Sequence, residues 1–167
     1  IEYYESGAVR LNSNYVNDKL QGVAIWYYES GAVKEKGNYV DGKLQGKSIR
    51  YYESGEVKSK VYCINDKIQG GAIWYYKSGA IKWRWNFVDN KLQGEGIEYY
   101  ESGKVKSKVY YINDKIQGGA IWYYKSGAIK TVAFYEDSLK QGEAISYFES
   151  GEVKAVENYI DGKLIKD

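Results

Sequence analysis

Ser-Gly recurs at Gly7, Gly31, Gly55, Gly79, Gly103, Gly127 and Gly151, a constant spacing of 24 residues. A second glycine series, Gly22, Gly46, Gly70, Gly94, Gly118 and Gly142, keeps the same step. Paired aromatics follow it from Tyr3-Tyr4 to Tyr147-Phe148, each preceded by Ile: Ile1, Ile25, Ile49, Ile73, Ile97, Ile121 and Ile145. A fixed period of this length marks a repeat array, because one short unit cannot bury a hydrophobic face without neighbours. Residues 1–167 therefore read as one array of seven 24-residue units with no linker. The chain opens on Ile1 without Met or a leader, so it reads as a fragment or processed product of a longer chain.

Each unit divides into two strands rich in Ile, Val and Tyr. One connection is Glu-Ser-Gly or Lys-Ser-Gly, suited to a three-residue hairpin loop with Gly in the left-handed conformation. The other is Asp41-Gly42, Asn65-Asp66, Asp161-Gly162 and their equivalents, which suit two-residue hairpins with φ > 0 at both centres. Such short connections require antiparallel pairing. The expected fold is all-β: an elongated, single-layer antiparallel meander of up to 14 strands, roughly 65 Å along the stacking direction.

A three-residue loop pairs position 26 with 34, giving Glu2/Arg10, Trp26/Lys34, Trp74/Lys82, Glu98/Lys106 and Trp122/Lys130, all favourable across strands; Arg50/Lys58 is the exception. It also places Ile25, Tyr27 and Val33 on one face as an expected core stripe. Joining this loop to a two-residue loop inverts the faces once per unit, which a constant period forbids. Either a bulge at the Gly22-type position restores parity, or the second loop also has three residues.

The composition excludes several chemistries. There is no His, hence no imidazole base or ligand, and a single Cys, Cys63, hence no internal disulfide and no Cys-rich metal site. Residues 59–82 and 107–130 are identical except Cys63 against Tyr111, so Cys63 reads as a drifted Tyr. Net charge +2, from 24 basic and 22 acidic residues, gives no footprint for specific nucleic-acid binding. No apolar run is long enough for a membrane helix. The recurrent Ser and Asp lie in turns, repeated as geometry is and not as a single asymmetric active site is. No enzyme activity, cofactor or metal is expected. One cysteine and no disulfide fit either the cytosol or a cell-envelope protein.

The unit Gly-x-Ala-Ile-Trp-Tyr-Tyr-Glu-Ser-Gly-Ala-Val-Lys, followed by Asn-Tyr-Val-Asp-Gly-Lys-Leu-Gln-Gly, at Gly22 to Gly46, resembles the bacterial MORN repeat of the second variety. That family also occurs in chains labelled YwqK-type antitoxins. The aromatic pair, the turn Gly, the Tyr before Asp-Gly-Lys and the Gly after Leu-Gln carry the resemblance through the whole chain. Residues 138–142, Cys63 and Phe87 depart from it locally. The resemblance implies a twisted sheet of β-hairpins, a protein-interaction or scaffolding role, no catalytic residues and, through the antitoxin chains, a toxin as partner. Trp-Tyr-Tyr-x-Ser-Gly-Ala also resembles choline- and glucan-binding cell-wall repeats over one strand and turn.

A specific partner should be read by the columns that vary. Position 26 runs Glu2, Trp26, Arg50, Trp74, Glu98, Trp122, Ser146; position 35 runs Leu11, Glu35, Ser59, Trp83, Ser107, Thr131, Ala155. Trp26, Trp74 and Trp122 should form a row spaced by about 19 Å, suited to a protein partner or to sugar rings, or else covering the stems of Lys34, Lys82 and Lys130. In the fourth unit Trp83, Trp85 and Phe87 should share one face, with Arg84 on the other; this is either the interface hot spot or a packing plug. A basic column (Arg10, Lys34, Lys58, Lys82, Lys106, Lys130, Lys154) reads as a solvated face. The expected partner is a protein. A glycan or cell-wall polymer is the alternative, and head-to-tail self-association through Lys163–Asp167 and the Ile1 strand is a third.

Overall fold

The computed structural model describes residues 1–165; Lys166 and Asp167, part of the segment read above as a self-association strand, lie outside the described residues. Among the described residues there are eighteen strands and no helix. Contacts divide the chain into two compact units, Ile1–Ile81 with Phe87–Asn90, and Lys82–Asn86 with the chain from Lys91 on. Strands Glu2–Tyr3, Val9–Val16, Lys19–Tyr27, Val33–Val40, Lys43–Leu44, Gly46–Tyr51, Val57–Ile64, Lys67–Ile68 and Gly70–Tyr75 belong to the first. Strand Ile81–Val88 contributes to both. Lys91–Leu92, Gly94–Tyr99, Val105–Ile112, Lys115–Tyr123, Ile129–Glu136, Leu139–Tyr147, Val153–Ile160 and Lys163–Ile165 belong to the second. Each unit is an antiparallel meander in which a strand pairs with the next in sequence. Breaks at Gln45, Gln69 and Gln93 only interrupt continuing strands, so eighteen segments less three breaks make fifteen strands. That is one more than expected, because the same repeat strand is represented in part at Glu2–Tyr3 and in part at Lys163–Ile165.

Both loops have the expected lengths. Tyr28 N–H donates to Ala32 O at 2.8 Å and Gly31 N–H to Tyr28 O at 2.9 Å, leaving Glu29-Ser30-Gly31 as a three-residue loop with Gly31 at φ 85°. Val40 pairs with Lys43 around Asp41 and Gly42, at φ 50° and 79°. The expected register fails one residue further on. Tyr27 pairs with Val33, but Trp26 pairs with Glu35, so Lys34 is the extra residue of a bulge. The same shift occurs at Glu2/Tyr3, Arg50/Tyr51, Glu98/Tyr99, Trp122/Tyr123 and Ser146/Tyr147. This one-residue bulge restores parity, and it sits in the basic column rather than at the Gly22-type glycines. Those glycines mark a different bulge: Tyr39 pairs with Leu44 and Lys36 with Ile49, so four residues oppose two and parity is unchanged. Gly46, at φ 84°, makes that wide bulge in a conformation other residues avoid.

The bulge also relocates the core. Ile25, Tyr27 and Val33 do share a face, but they are only half-buried, and Ile25 faces Lys36 across the strands. Every fully buried residue lies on the opposite face. There, small residues form a floor: Ala24, Gly37, Ser48, Val61 and Ala72 in the first unit; Gly96, Val109, Ala120, Ala133 and Ala144 in the second. Ala24, Ser48 and Ala72 are 1% exposed and Ala120 is 0% exposed. No second layer covers them. Aromatic side chains from either end of the strands lean inward and close over the floor. Trp26 meets Tyr39 with ring centres 5.3 Å apart, Trp74 meets Phe87 at 5.9 Å, and Trp122 meets Tyr135 at 6.0 Å. These tilted and edge-on pairs each add about 0.5–1.5 kcal/mol beyond the area they bury.

Two hydrogen-bond ladders tie each repeat to the next. In five of the aromatic pairs the second tyrosine donates its hydroxyl to a backbone carbonyl one repeat on: Tyr4 to Tyr27 O at 2.7 Å, Tyr28 to Tyr51 O at 2.9 Å, Tyr52 to Tyr75 O at 2.7 Å, Tyr100 to Tyr123 O at 2.7 Å and Tyr124 to Tyr147 O at 2.8 Å. At the opposite hairpin end, Gln45 Nε2 donates to Asn65 Oδ1 at 3.0 Å while its Oε1 accepts from Asn65 N–H at 3.2 Å; Gln141 and Asp161 repeat the arrangement. Asp66 Oδ1 accepts from Leu44 N–H at 2.7 Å, a bond that Gly at that turn position has no side chain to make.

Two outcomes follow. Tyr52→Phe should cost about 1 kcal/mol in urea unfolding, the net worth of one hydrogen bond. Burial pushes the Tyr39 phenol up to about 12 and raises Tyr111 and Tyr135 as well. The unfolded chain gives up these protons near pH 10. Stability should therefore be complete below about pH 10 and fall as pH rises toward 12, with a shallower fall in Tyr39→Phe.

Candidate interaction face

The bulge at the basic column has a consequence for recognition. By pairing position 26 with 35, it makes the two varying columns cross-strand neighbours. In the first unit they form one row: Glu2, Leu11, Trp26, Glu35, Arg50, Ser59, Trp74. In the second unit the row is Trp83, Glu98, Ser107, Trp122, Thr131, Ser146, Ala155. Each row lies on the aromatic-covered face, beside the floor. The sequence displayed both columns as variable, but not that they adjoin, because an unbulged hairpin sets position 26 opposite lysine.

The basic side chains that form the bulges border the rows. Their ammonium groups lie over the tyrosine before the turn, with Lys34 5.6 Å from the Tyr28 ring, Lys58 5.7 Å from Tyr52 and Lys130 5.7 Å from Tyr124. Lys82 is 4.2 Å from the Trp83 ring centre. The anticipated charge pairs survive as bulge contacts. Lys106 Nζ is 2.9 Å from Glu98 Oε1, and Arg10 bonds the Glu2 carboxylate. Arg10 and the Tyr15 hydroxyl hold the Glu2 carboxyl below its ordinary range. Within the first row Glu35 Oε2 accepts from Arg50 Nε and its Oε1 from Ser48 Oγ, both at 2.9 Å.

The seven residues singled out from the sequence fall into four environments. Trp26, Trp74 and Trp122 occupy the rows, half-buried and leaning on Tyr39, Phe87 and Tyr135. Trp83 is also in a row, stacked on Trp85 with centres 5.3 Å apart and planes 19° apart. Trp85 is a floor residue. Phe87 is 8% exposed and packs on Trp74, so it is not a surface contact. Arg84 is exposed on the opposite face, paired with Ile97. The Gln column and its turn ladder were not assigned a role from the sequence, although Gln recurs at 21, 45, 69, 93, 117 and 141.

Cys63 is 2% exposed, and burial pushes its thiol up from the ordinary range, as befits a position occupied by aromatics in other repeats. Among the described residues no group of three or more His, Cys, Asp or Glu side chains could hold a metal ion, and no helix is long and apolar enough to cross a membrane.

Trp85 also explains an oddity in the small column. A Cβ on Gly96 would lie 2.9 Å from Trp85 Cδ1 and 3.0 Å from Tyr111 Cε2. Trp85 and Gly96 thus form a compensated pair across adjacent repeats, a large residue in a column that elsewhere holds Ser13, Gly37, Val61, Val109, Ala133 and Glu157, facing the one glycine in a column of Ala and Ser. Gly96→Ala should destabilise the chain by about 1–3 kcal/mol although Ala stands there in four other repeats. Trp85→Val, copying Val61 and Val109, should recover most of that loss in thermal or urea unfolding.

A family model for a MORN repeat variant matches residues 20–41, 44–65, 92–113 and 140–161, which together make up more than half of the chain. No curated protein matches it. The matched segments contain the Tyr-Tyr pair and turn glycine that build the inter-repeat ladder, or the turn residues that anchor the Gln ladder. The chain belongs to the MORN repeat variant family.

Proposed function

We propose that the chain is a non-catalytic repeat scaffold that binds a protein partner through its variable rows. The observation behind this reading is the merging of both varying columns into one strip per unit, beside a floor column, Ala24, Ser48, Ala72, Gly96, Ala120 and Ala144, that stays small. Small residues, ladders and bulges hold the backbone, while the rows present Trp, Arg and Glu side chains between the buried Leu11, Ser59 and Ser107. Trp and Arg are enriched among residues that dominate binding energy. MORN repeats are in general interaction modules, which supports the same reading. An antitoxin-like role in a bacterium, with a toxin as the captured protein, is its most specific form.

The Trp rings favour a protein over a glycan as partner, because each leans on a neighbouring aromatic and does not stand free as a stacking platform. The structure also changes which variants test the idea. Trp85 packs over Gly96, so Trp85→Ala should leave a cavity and cost stability. Trp83→Ser and Trp26→Ser instead install a residue that the row already carries at Ser59, Ser107 and Ser146.

The immobilised chain should capture a protein from a fraction freed of cell-wall polysaccharide, and one or both Ser variants should lose it while keeping the parent's strand signal in circular dichroism, at a melting temperature lowered by the lost contacts with Tyr39 and Trp85. If both retain full capture, the row is not the interface. Capture of polysaccharide alone would replace this reading with a wall-binding one. Growth in particle size with concentration, with no foreign protein captured, would replace it with self-assembly.

A further inference from the structure

On the face opposite the rows, one column is Asn in four repeats: Asn14, Asn38, Asn86 and Asn158. The other three repeats hold Tyr62, Tyr110 and Phe134, so only Tyr110 and Phe134 are aromatics in consecutive repeats. They stand on strands Val105–Ile112 and Ile129–Glu136, with Gly119 on the strand between them. Gly119 pairs directly with Phe134, and Tyr110 follows Val109, which pairs with Ala120. Tyr110 is 46% and Phe134 53% exposed. A Cβ on Gly119 would meet nothing within 4 Å, so the space between the two aromatic positions is open.

Acids gather at the same place. Glu95 pairs with Tyr110 across the strands. Counting on from the pair Val132 and Ile145, Glu143 stands beside Phe134. Glu136, two residues after Phe134 on the same face, occupies a column that is Val or Ile in the six other repeats. All three carboxylates are exposed, and among the described residues none makes an ion pair. The nearby Lys115 is engaged with Asp137 at 3.4 Å. Lys108 stands two residues before Tyr110, but its column turns to Val132 beside Phe134, so the Phe134 end of the slot is the acidic one.

We propose that Tyr110 and Phe134 form a slot for the side chain of an arginine on a protein. Charge is the first argument: exposed rings bordered by carboxylates without ion-pair partners attract a cation, which the ring faces bind as well. Shape is the second. The two backbones are two strand spacings apart, about 9.6 Å. A flat group touching a ring on either side needs roughly 7–8 Å between those rings, which a slight lean supplies. A guanidinium is flat, stacks on aromatic faces and donates to carboxylates in a fork, whereas a lysine ammonium is compact and more strongly hydrated. The inference does not depend on the variable rows binding a partner, because those rows lie on the other face.

The first unit supplies an internal control. Tyr62 and Gly71 match Tyr110 and Gly119, but Asn86, Lys47 and Val88 stand where the slot has Phe134, Glu95 and Glu136. The intact ¹⁵N-labelled chain is titrated with N-acetyl-arginine methylamide at constant ionic strength, and amide shifts are followed by NMR. Gly119 should shift saturably with a Kd of about 1–10 mM, as an exposed site for one side chain allows, while Gly71 stays still. The neutral citrulline analogue should bind at least fivefold more weakly. Phe134→Asn, which copies Asn86, should weaken arginine binding at least fivefold with unchanged circular dichroism. If that variant fails to fold, Tyr110→Asn serves the same purpose. Absence of a saturable Gly119 shift, an equal response at Gly71, or equal binding by the citrulline analogue or by a folded Asn variant overturns the proposal. Choline binding more tightly than the arginine derivative also overturns it, in favour of a quaternary ammonium ligand.

Discussion

A sheet with no second layer has to protect its own hydrogen bonds from water, and here it does so with side chains folded down onto it. This requires a contrast in size within each strand. Ala24, Ser48, Ala72 and Ala120 must stay small for the rings of Trp26, Tyr39, Trp74, Trp122 and Tyr135 to lie across them. The most buried positions are therefore held by small side chains, and the largest fully buried one is Ser48. Hydrophobicity alone points to the wrong face, because Ile and Val are concentrated opposite the floor and share that face with Lys36, Asn38 and Lys60.

The bulge is the second constraint, and it marks the limit of what the sequence discloses. Loop lengths were legible because Gly31, Asp41 and Gly42 have local conformational reasons to stand where they do. The need for a parity correction was legible too, by counting. Its position was not, because Lys34 has no backbone peculiarity: an ordinary residue absorbs the shift, and the glycines at 22 and 46 serve a different bulge. From that single displacement come the inverted core and the alignment of two variable columns. The pairing of Trp85 with Gly96 was present in the sequence as two departures from consensus, but only register makes them one event.

The ladders show how a repeat protein gains cohesion from residues that seem only to decorate turns. Tyr28 and Tyr52 reach a carbonyl one repeat on, and Gln45 engages both the backbone and the side chain of Asn65. Each bond is modest, yet bonds of the same kind recur along the array at both hairpin ends, so stability grows with repeat number and has no single centre.

Nearest-neighbour bonding of this kind makes the repeat a unit of inheritance as well as of structure. Loss or gain of 24 residues in phase keeps every bulge, ladder and buried Ala in register, whereas an insertion of one residue turns a strand inside out. The near-identical stretches 59–82 and 107–130 show that whole-block copying has happened in this chain. Slippage between such copies would respell the variable rows by whole letters while leaving the folding rules untouched. A lineage carrying this array could then vary its rows by recombination faster than by point substitution.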